Sequence, residues 1–222
     1  MPATPDLRPA LLFLDELARH NQRDWFEAHR SDYEAARGAF EGLIGQVITA
    51  FRQADGLGEL AARDCVARLH RDVRFSKDKS PYKTNLAALV APGGWRATAH
   101  GYFFHLEPGG RSLLGGGLHD PSPAQLDSFR RAVAQDPAAF RKATGGKVFT
   151  EIFGEIVGER LKTAPRGWDP AHPEIATLRL KQVLAVRYLS DEQMCAPDLA
   201  AQLIRGCRAL RPFLDWLTAN GI

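Results

Sequence analysis

The spacing of apolar residues along this chain changes twice, and the order of these changes limits the folds available to it. In the first quarter, apolar residues recur at helical spacing, most clearly over residues 40–51. Between residues 66 and 118 they mostly alternate with polar residues, which is typical of half-buried strands. Helical spacing then returns, with one late strand at residues 178–189. This order predicts an α+β fold with a largely antiparallel sheet flanked by N-terminal and C-terminal helices.

Local signals predict where the elements begin and end. Five segments are predicted as strands: residues 66–75, 84–91, 101–107, 111–118 and 178–189. In the first strand, the apolar set that ends at Phe75 should share the buried face. The glycines at 115–117 leave the fourth strand bare, so another group can approach its backbone. Helix starts are predicted at Ser31-x-x-Glu34, Ser122-Pro123, Asp136-Pro137 and Ser190-x-x-Gln193. Pro212 should kink or interrupt the last helix.

The chain reads as a single α+β domain over residues 1–222, because it contains no repeat, low-complexity tract or long linker. No apolar stretch approaches the roughly 20 residues of a membrane helix, and the first residues lack the apolar core of a signal peptide. The three cysteines are well separated and indicate neither a disulfide framework nor a thiolate zinc site. We therefore expect a cytoplasmic protein without a membrane partner. Its oligomeric state stays open.

Positive charge is concentrated in one stretch of the chain. The whole sequence carries a formal net charge of +3. Residues 66–83, which we call the basic segment, contain six Lys and Arg against two Asp, so the rest of the chain is close to neutral. Such a cluster attracts anions and can contact phosphate or carboxylate groups. It is shorter than the extended basic face that nucleic-acid-binding proteins usually present.

We therefore predict that the basic segment binds an anion. Arginine offers forked hydrogen bonds, lysine a movable point charge, and a phenol can orient the ligand. The predicted ligand-binding residues in this segment are Arg68, Arg71, Arg74, Lys77, Lys79, Tyr82 and Lys83. Two other interpretations stay open. Asp72 and Asp78 could neutralise their basic neighbours in a solvated loop, or buried Arg–Asp pairs could hold the segment against the helices.

Two acid–base pairs have the spacing of a strand. Residues i and i+2 of a strand point to one face, so His70 pairs with Asp72, and His105 with Glu107. Histidine titrates near neutral pH, and an adjacent carboxylate raises its basicity. The catalytic candidates are therefore His105, Glu107 and Asp72. A metal site built from both pairs is disfavoured, because arginines at even spacing from His70 would repel a divalent cation. No metal is predicted, and any cofactor is unknown.

The late strand carries two further basic candidates, Lys181 and Arg187, whose even separation places them on one face. Should this strand lie beside the first, they would extend the basic surface into a cup and join the ligand-binding set. The alternative is that they guard an exposed strand edge against aggregation.

Several motifs also carry a resemblance. The stretches RDVRFSKDKSPYKT, GYFFHLEPGG, GGGL and LKTAPRGWDPAHP resemble a bacterial and fungal family of domains of unknown function, of the DUF2461 type, marked by RDxRFSKDKxPYK. The similarity runs along nearly all of the chain. It implies a single α+β domain, and it brings no activity, cofactor or catalytic residue to transfer.

The sequence thus predicts a binder of, or an enzyme acting on, a phosphate- or carboxylate-bearing small molecule, through a basic pocket at a sheet edge. The alternative is a nucleic-acid or protein interaction module that uses the same segment. Nucleic acid is possible but not favoured, because Phe75 and Tyr82 are the only aromatic residues near the cluster. Whether the protein is an enzyme at all stays open.

Overall fold

A computed structural model describes residues 2–222 of the chain. The α-helices of this part are α1 (Arg8–Arg19), α2 (Arg23–Ala28), α3 (Arg30–Phe51), α4 (Ala62–Cys65), α5 (Pro123–Gln135), α6 (Pro137–Thr144), α7 (Lys147–Phe153), α8 (Ile175–Leu178), α9 (Asp191–Met194) and α10 (Leu199–Ala219). The strands are β1 (Leu86–Val90), β2 (Tyr102–Leu106), β3 (Ser112–Leu118) and β4 (Val183–Leu189), with a 3-10 helix at Gly94–Arg96.

The four strands form one antiparallel sheet in the order β1-β2-β3-β4. The predicted α+β class with a largely antiparallel sheet is confirmed. The alternation predicted for β2 is confirmed as well, since Phe104 and Leu106 are buried whereas Phe103 and His105 are partly exposed. Outward positions of β2 can therefore carry functional side chains without disturbing the core.

The first compact unit of the chain is built around helices α1 and α3. It comprises residues 2–98, 103–114 and 188–204. α1 packs against α3, and Leu14, Leu17 and Ile44 are fully buried. Burial of each such side chain stabilises the fold by about 1.5–3 kcal/mol. Pro9 sits in the first turn of α1, where its missing N–H leaves no helical hydrogen bond unmade.

The second compact unit has an aromatic core. It comprises residues 99–102, 115–187 and 205–222. Phe129 of α5 packs edge-on against Phe140 of α6, with ring centroids 5.6 Å apart. Trp216 of α10 contacts both rings. A single domain over residues 1–222 stays a prediction beside this division into two units. No helix among residues 2–222 has the length and apolar character needed to cross a bilayer.

Three of the four predicted helix starts are confirmed. Ser122 and Ser190 form capping boxes at α5 and α9, and the Asp136 carboxylate accepts a hydrogen bond from the Ala139 N–H at α6. The prediction at Ser31 is wrong, because α3 follows α2 after the single residue His29 and already begins at Arg30. Pro212 lies inside α10, which continues through it, so of the two predicted effects the interruption is absent from this described helix, and a kink stays a prediction.

The strand predicted over residues 66–75 is also wrong. This stretch makes only two isolated antiparallel bridges, Val66 with Ala88 and His70 with Tyr82. Three residues lie between the bridges on one side and five on the other, so the ladder cannot run without a break. Residues 71–75 form no bridge, and Phe75 is 95% exposed instead of buried.

The glycines of β3 are approached by the chain itself. A Cβ atom on Gly116 would lie 2.9 Å from Leu210 Cδ2 of α10. Gly117 has a φ of +122°, and its Cβ would lie 2.1 Å from the Val183 carbonyl oxygen. The bare surface of β3 therefore allows the Leu210 side chain of α10 and the backbone of Val183, the first residue of β4, to pack closely against it.

Candidate functional site

The basic segment forms an irregular hairpin that ends in a loop. The Lys83 N–H donates to the Leu69 carbonyl at 2.9 Å, and the Arg71 N–H donates to the Pro81 carbonyl at 2.9 Å. These bonds close residues 72–80, which we call the basic loop. The loop therefore begins where the paired backbone of this hairpin ends.

The Arg71 side chain fastens the base of the basic loop. Its guanidinium forms an ion pair with the Asp78 carboxylate, and the Arg71 side chain is 26% exposed to solvent. Asp78 Oδ1 also accepts hydrogen bonds from the Ser80 N–H at 2.9 Å and the Ser80 hydroxyl at 2.6 Å. The hydrogen bonds from Ser80, followed by that from Arg71, hold the pKa of Asp78 well below its ordinary value. The Arg71–Asp78 ion pair therefore stabilises the conformation of the basic loop.

Other charges of the loop are also paired locally. Arg74 makes a forked contact with Asp72, with Nε 2.9 Å from Oδ1 and Nη2 2.6 Å from Oδ2. These hydrogen bonds lower the pKa of Asp72, so its carboxylate is a weaker base than a free aspartate. Lys79 Nζ donates to the Val73 carbonyl at 2.9 Å. A ligand would have to compete with these contacts to engage Arg74 or Lys79.

Four predicted ligand-binding residues have other surroundings. Arg68 and Lys77 are exposed, and neither makes an ion pair with any residue of the described chain. Tyr82 is 2% exposed and stacks on Phe26 with centroids 4.2 Å apart, and burial raises the pKa of its hydroxyl. Lys83 is half-buried, with Nζ 5.9 Å from the ring centroid of Trp95.

The pair predicted on β2 is present and close. His105 Nε2 lies 2.8 Å from Glu107 Oε2, and the two side chains keep 19% and 21% of their exposure. We call His105 and Glu107 the dyad. No described residue hydrogen-bonds the other ring nitrogen, Nδ1. The imidazole is therefore anchored on one side by a carboxylate and unpaired on the other.

Glu107 is held in place by the β2–β3 turn. Arg111 Nε donates to Glu107 Oε1 at 2.8 Å, and the hydroxyl of buried Ser112 lies 3.1 Å from both the N–H and the carbonyl oxygen of Glu107. Burial alone would raise the pKa of Glu107, but the hydrogen bonds from His105 and Arg111 outweigh it and lower the pKa. The carboxylate is thus ionised at neutral pH and keeps His105 oriented.

A carboxylate from another element fixes the same turn. Asp191, the first residue of α9, accepts hydrogen bonds from the Gly109 N–H at 2.8 Å and the Gly110 N–H at 3.0 Å. Both glycines have positive φ, which side-chain-bearing residues rarely adopt. The turn that carries Glu107 and Arg111 is therefore tied down at its tip.

A row of rings joins the dyad to the basic segment. Phe103 lies 6.3 Å from His105 and 6.4 Å from Trp95, measured between ring centroids. Trp95 is 38% exposed and borders Lys83. We call Lys83, Trp95, Phe103, His105 and Glu107 the β2 row. All five belong to the first unit, and the row presents a cation, two apolar rings and an acid–base pair in succession.

Lys181 and Arg187, the two basic candidates of the late strand, lie in different surroundings. Lys181 precedes β4, and its Nζ lies 3.0 Å from Glu159 Oε2. Arg187 is half-buried within β4. The strand order puts β2 and β3 between β4 and β1, the strand that Val66 bridges. β4 therefore does not lie beside the stretch predicted as the first strand, which was the condition for a basic cup.

Sequence reasoning missed several residues of this surface. Arg111 follows a Pro-Gly-Gly turn that predicts a hairpin, and hairpin pairing alone could have placed it opposite Glu107. Trp95 stands between two turn signals, where no periodicity indicates its direction. Among residues 2–222, no three His, Cys, Asp or Glu side chains are grouped closely enough to hold a metal ion.

Comparison with known proteins gives one match. The family model described as "Conserved hypothetical protein (DUF2461)" matches residues 9–216. Neither the curated proteins nor the solved structures contain a match to the chain. The matched range includes the basic segment, the dyad and β4. Since this range spans nearly the whole sequence, the chain belongs to the DUF2461 family.

Proposed function

We propose that this protein is a cytoplasmic binder of a phosphate- or carboxylate-bearing small molecule, or an enzyme acting on one, and that the ligand lies on the β2 row. The observation that supports this most is the dyad, with a 2.8 Å contact between His105 and Glu107 in a half-buried setting. Histidine–carboxylate pairs of this kind serve acid–base chemistry near neutral pH.

Lys83 is the cation best placed to hold the anionic group. Its ammonium borders Trp95 and has no carboxylate partner in the described chain. At the other end of the row, Arg111 uses Nε for Glu107 and is 59% exposed, so its remaining nitrogens can reach a ligand. Arg68 and Lys77 add unpaired positive charge, which favours the approach of anions.

The dyad supplies a proton acceptor. With Glu107 ionised, His105 donates its Nε2 proton to the carboxylate, which leaves the Nδ1 lone pair free. A ligand with an acidic proton near Nδ1 can transfer it to the imidazole, and Glu107 stabilises the resulting imidazolium. Asp72 is less suited to this role, because Arg74 already engages both of its oxygens.

Calorimetric titration with inorganic phosphate and with acetate tests the binding proposal. At least one anion should bind the wild-type protein and raise its melting temperature. Lys83→Met should weaken that binding about ten-fold or more, as expected for loss of a charge-assisted hydrogen bond. Lys162→Met is the matched control, since Lys162 is an exposed lysine of the second unit. Equal binding by both variants would remove Lys83 from the site.

A second candidate function is supported by the tip of the basic loop. Phe75 is 95% exposed, and Arg74 Cζ lies 5.9 Å from its ring centroid. The Arg71–Asp78 ion pair joins the two ends of this loop, and the Phe75 ring at its tip lies in solvent. An exposed ring beside cations can stack on a base of single-stranded nucleic acid or enter an apolar pocket of a partner protein.

Fluorescence anisotropy with a labelled single-stranded oligonucleotide of mixed sequence tests the nucleic-acid version. Phe75→Ala should weaken binding by about 5-fold to 150-fold, the range for loss of one base–aromatic stack. Leu12→Ala is the control, because Leu12 is another exposed apolar side chain, at 68%. Affinity should also fall as salt rises. No anisotropy change at low salt would leave only the protein-partner version of this candidate.

A further inference from the structure

We propose that the ligand of the β2 row carries a flat aromatic ring next to its carboxylate or phosphate group. This inference rests on the proposed function and narrows its ligand class. Trp95 and Phe103 form the middle of the row and offer a ring platform between the Lys83 ammonium and the His105 imidazole. We call Trp95 and Phe103 the platform.

The platform is apolar surface held open to solvent. Trp95 is 38% exposed, and Phe103 is partly exposed on the outer face of β2. Their centroids lie 6.4 Å apart with 40° between the ring planes, and both rings keep part of their surface exposed to solvent. A flat ring laid on this exposed surface would bury apolar area and stack at the spacing that aromatic pairs favour.

The charges around the platform set the orientation of such a ligand. Lys83 borders Trp95, whereas the dyad borders Phe103 through His105. A ring on the platform would therefore place an attached anionic group toward Lys83 and its opposite edge toward His105. The ammonium beside Trp95 disfavours a cationic ring. An aliphatic anion would meet Lys83 but would gain no stacking from the two rings.

Matched carboxylates distinguish a flat ring from mere apolar bulk. Benzoate, cyclohexanecarboxylate and acetate carry the same anionic group on an aromatic ring, a saturated ring and a methyl group. In calorimetric titrations of the full chain, benzoate should bind about 3-fold to 10-fold more tightly than cyclohexanecarboxylate, and acetate should bind most weakly. Phenyl phosphate against inorganic phosphate repeats the comparison for the other anionic group.

Substitutions of Trp95 and Phe103 test whether the platform causes the tighter binding of an aromatic ring. Trp95→Leu should abolish the advantage of benzoate over cyclohexanecarboxylate, whereas Trp95→Phe should keep most of it. Trp168→Leu, in the second unit, should leave the advantage unchanged. If Trp95→Leu fails to fold, as judged by circular dichroism, Phe103→Leu serves the same purpose.

The outcomes separate this inference from the function on which it rests. Binding of acetate or phosphate without any gain from an aromatic ring would overturn the inference and leave the anion-binding proposal standing. A ring preference that survives both Trp95→Leu and Phe103→Leu would also overturn it, since the ring would then lie elsewhere. Failure of all five probes to bind would overturn both.

Discussion

Glu107 is the residue on which the candidate site depends most. Its carboxylate contacts His105 and Arg111, its backbone N–H bonds to Ser112, and its side chain is only 21% exposed. A carboxylate with this many donors stabilises the fold as well as orienting the imidazole. Stability and site geometry are therefore coupled at this position.

Glu107→Gln should lower the free energy of unfolding by about 1–3 kcal/mol at pH 7, because charge-assisted hydrogen bonds from His105 and Arg111 are lost. The pKa of Glu107 is lowered in the folded state from its ordinary 4.5. The carboxylate therefore contributes its full stabilisation above pH 4.5, and this contribution disappears as pH falls through the folded-state pKa. Urea denaturation of both proteins at pH 7 and pH 3 measures the difference.

Glu34→Gln is the control for this measurement. Glu34 is an exposed helix residue whose Oε1 lies 3.5 Å from Arg30 Nε. Its replacement should change the free energy of unfolding little at either pH. A Glu107→Gln effect of the same size at pH 7 and pH 3 would contradict the assigned role of the charge.

Among individual side chains, the contact between His105 and Glu107 could be predicted from the sequence, but the surroundings of this dyad could not. The i, i+2 spacing in an alternating stretch is enough to bring His105 and Glu107 to one face. The local pairing of Arg74 with Asp72 depends on side-chain rotamers in a loop, which periodicity does not describe. For that reason the sequence alone left the basic residues with three interpretations.

Among the elements, the basic loop owes its shape to Asp78. This carboxylate joins Arg71 at the start of the loop to Ser80 at its end. Asp78→Ala should therefore loosen residues 72–80 without unfolding the protein, and trypsin should cleave faster after Arg74, which is not adjacent to the substitution. Mass spectrometry of timed digests measures the rates. Asp127→Ala, which removes an exposed helix pair with Arg131, should leave them unchanged; equal rates in both variants would contradict the fastening role.

The basic loop also shows where element prediction failed. Burial alternates as predicted for Arg68, Leu69 and His70, which are exposed, buried and exposed. The pattern then continues in the sequence although residues 71–75 form no bridge. Between the two bridges, the paired stretches also differ in length by two residues. Such a mismatch depends on the stretch with which residues 66–70 pair, residues 82–88, and periodicity within one segment cannot reveal it. Strand β2, which lies between two neighbours, followed its pattern fully.

For the whole molecule, we expect cooperative unfolding of residues 1–222. The chain passes from one unit to the other inside strands, at Tyr102–Phe103 in β2 and Leu114–Gly115 in β3, so each of these strands contributes residues to both units. Tryptophan fluorescence of Trp168→Phe/Trp216→Phe reports the first unit, and that of Trp25→Phe/Trp95→Phe reports the second. Their urea transitions should coincide. Two separated midpoints would instead indicate two domains.

The claim that an anion binds the β2 row is tested most directly by NMR of the ¹⁵N-labelled protein titrated with inorganic phosphate, against sodium chloride at equal ionic strength. If the anion lies on the β2 row, saturable backbone shifts should cluster at Lys83, Trp95 and residues 103–111. Shifts that cluster in another part of the chain, or that sodium chloride reproduces, would contradict it.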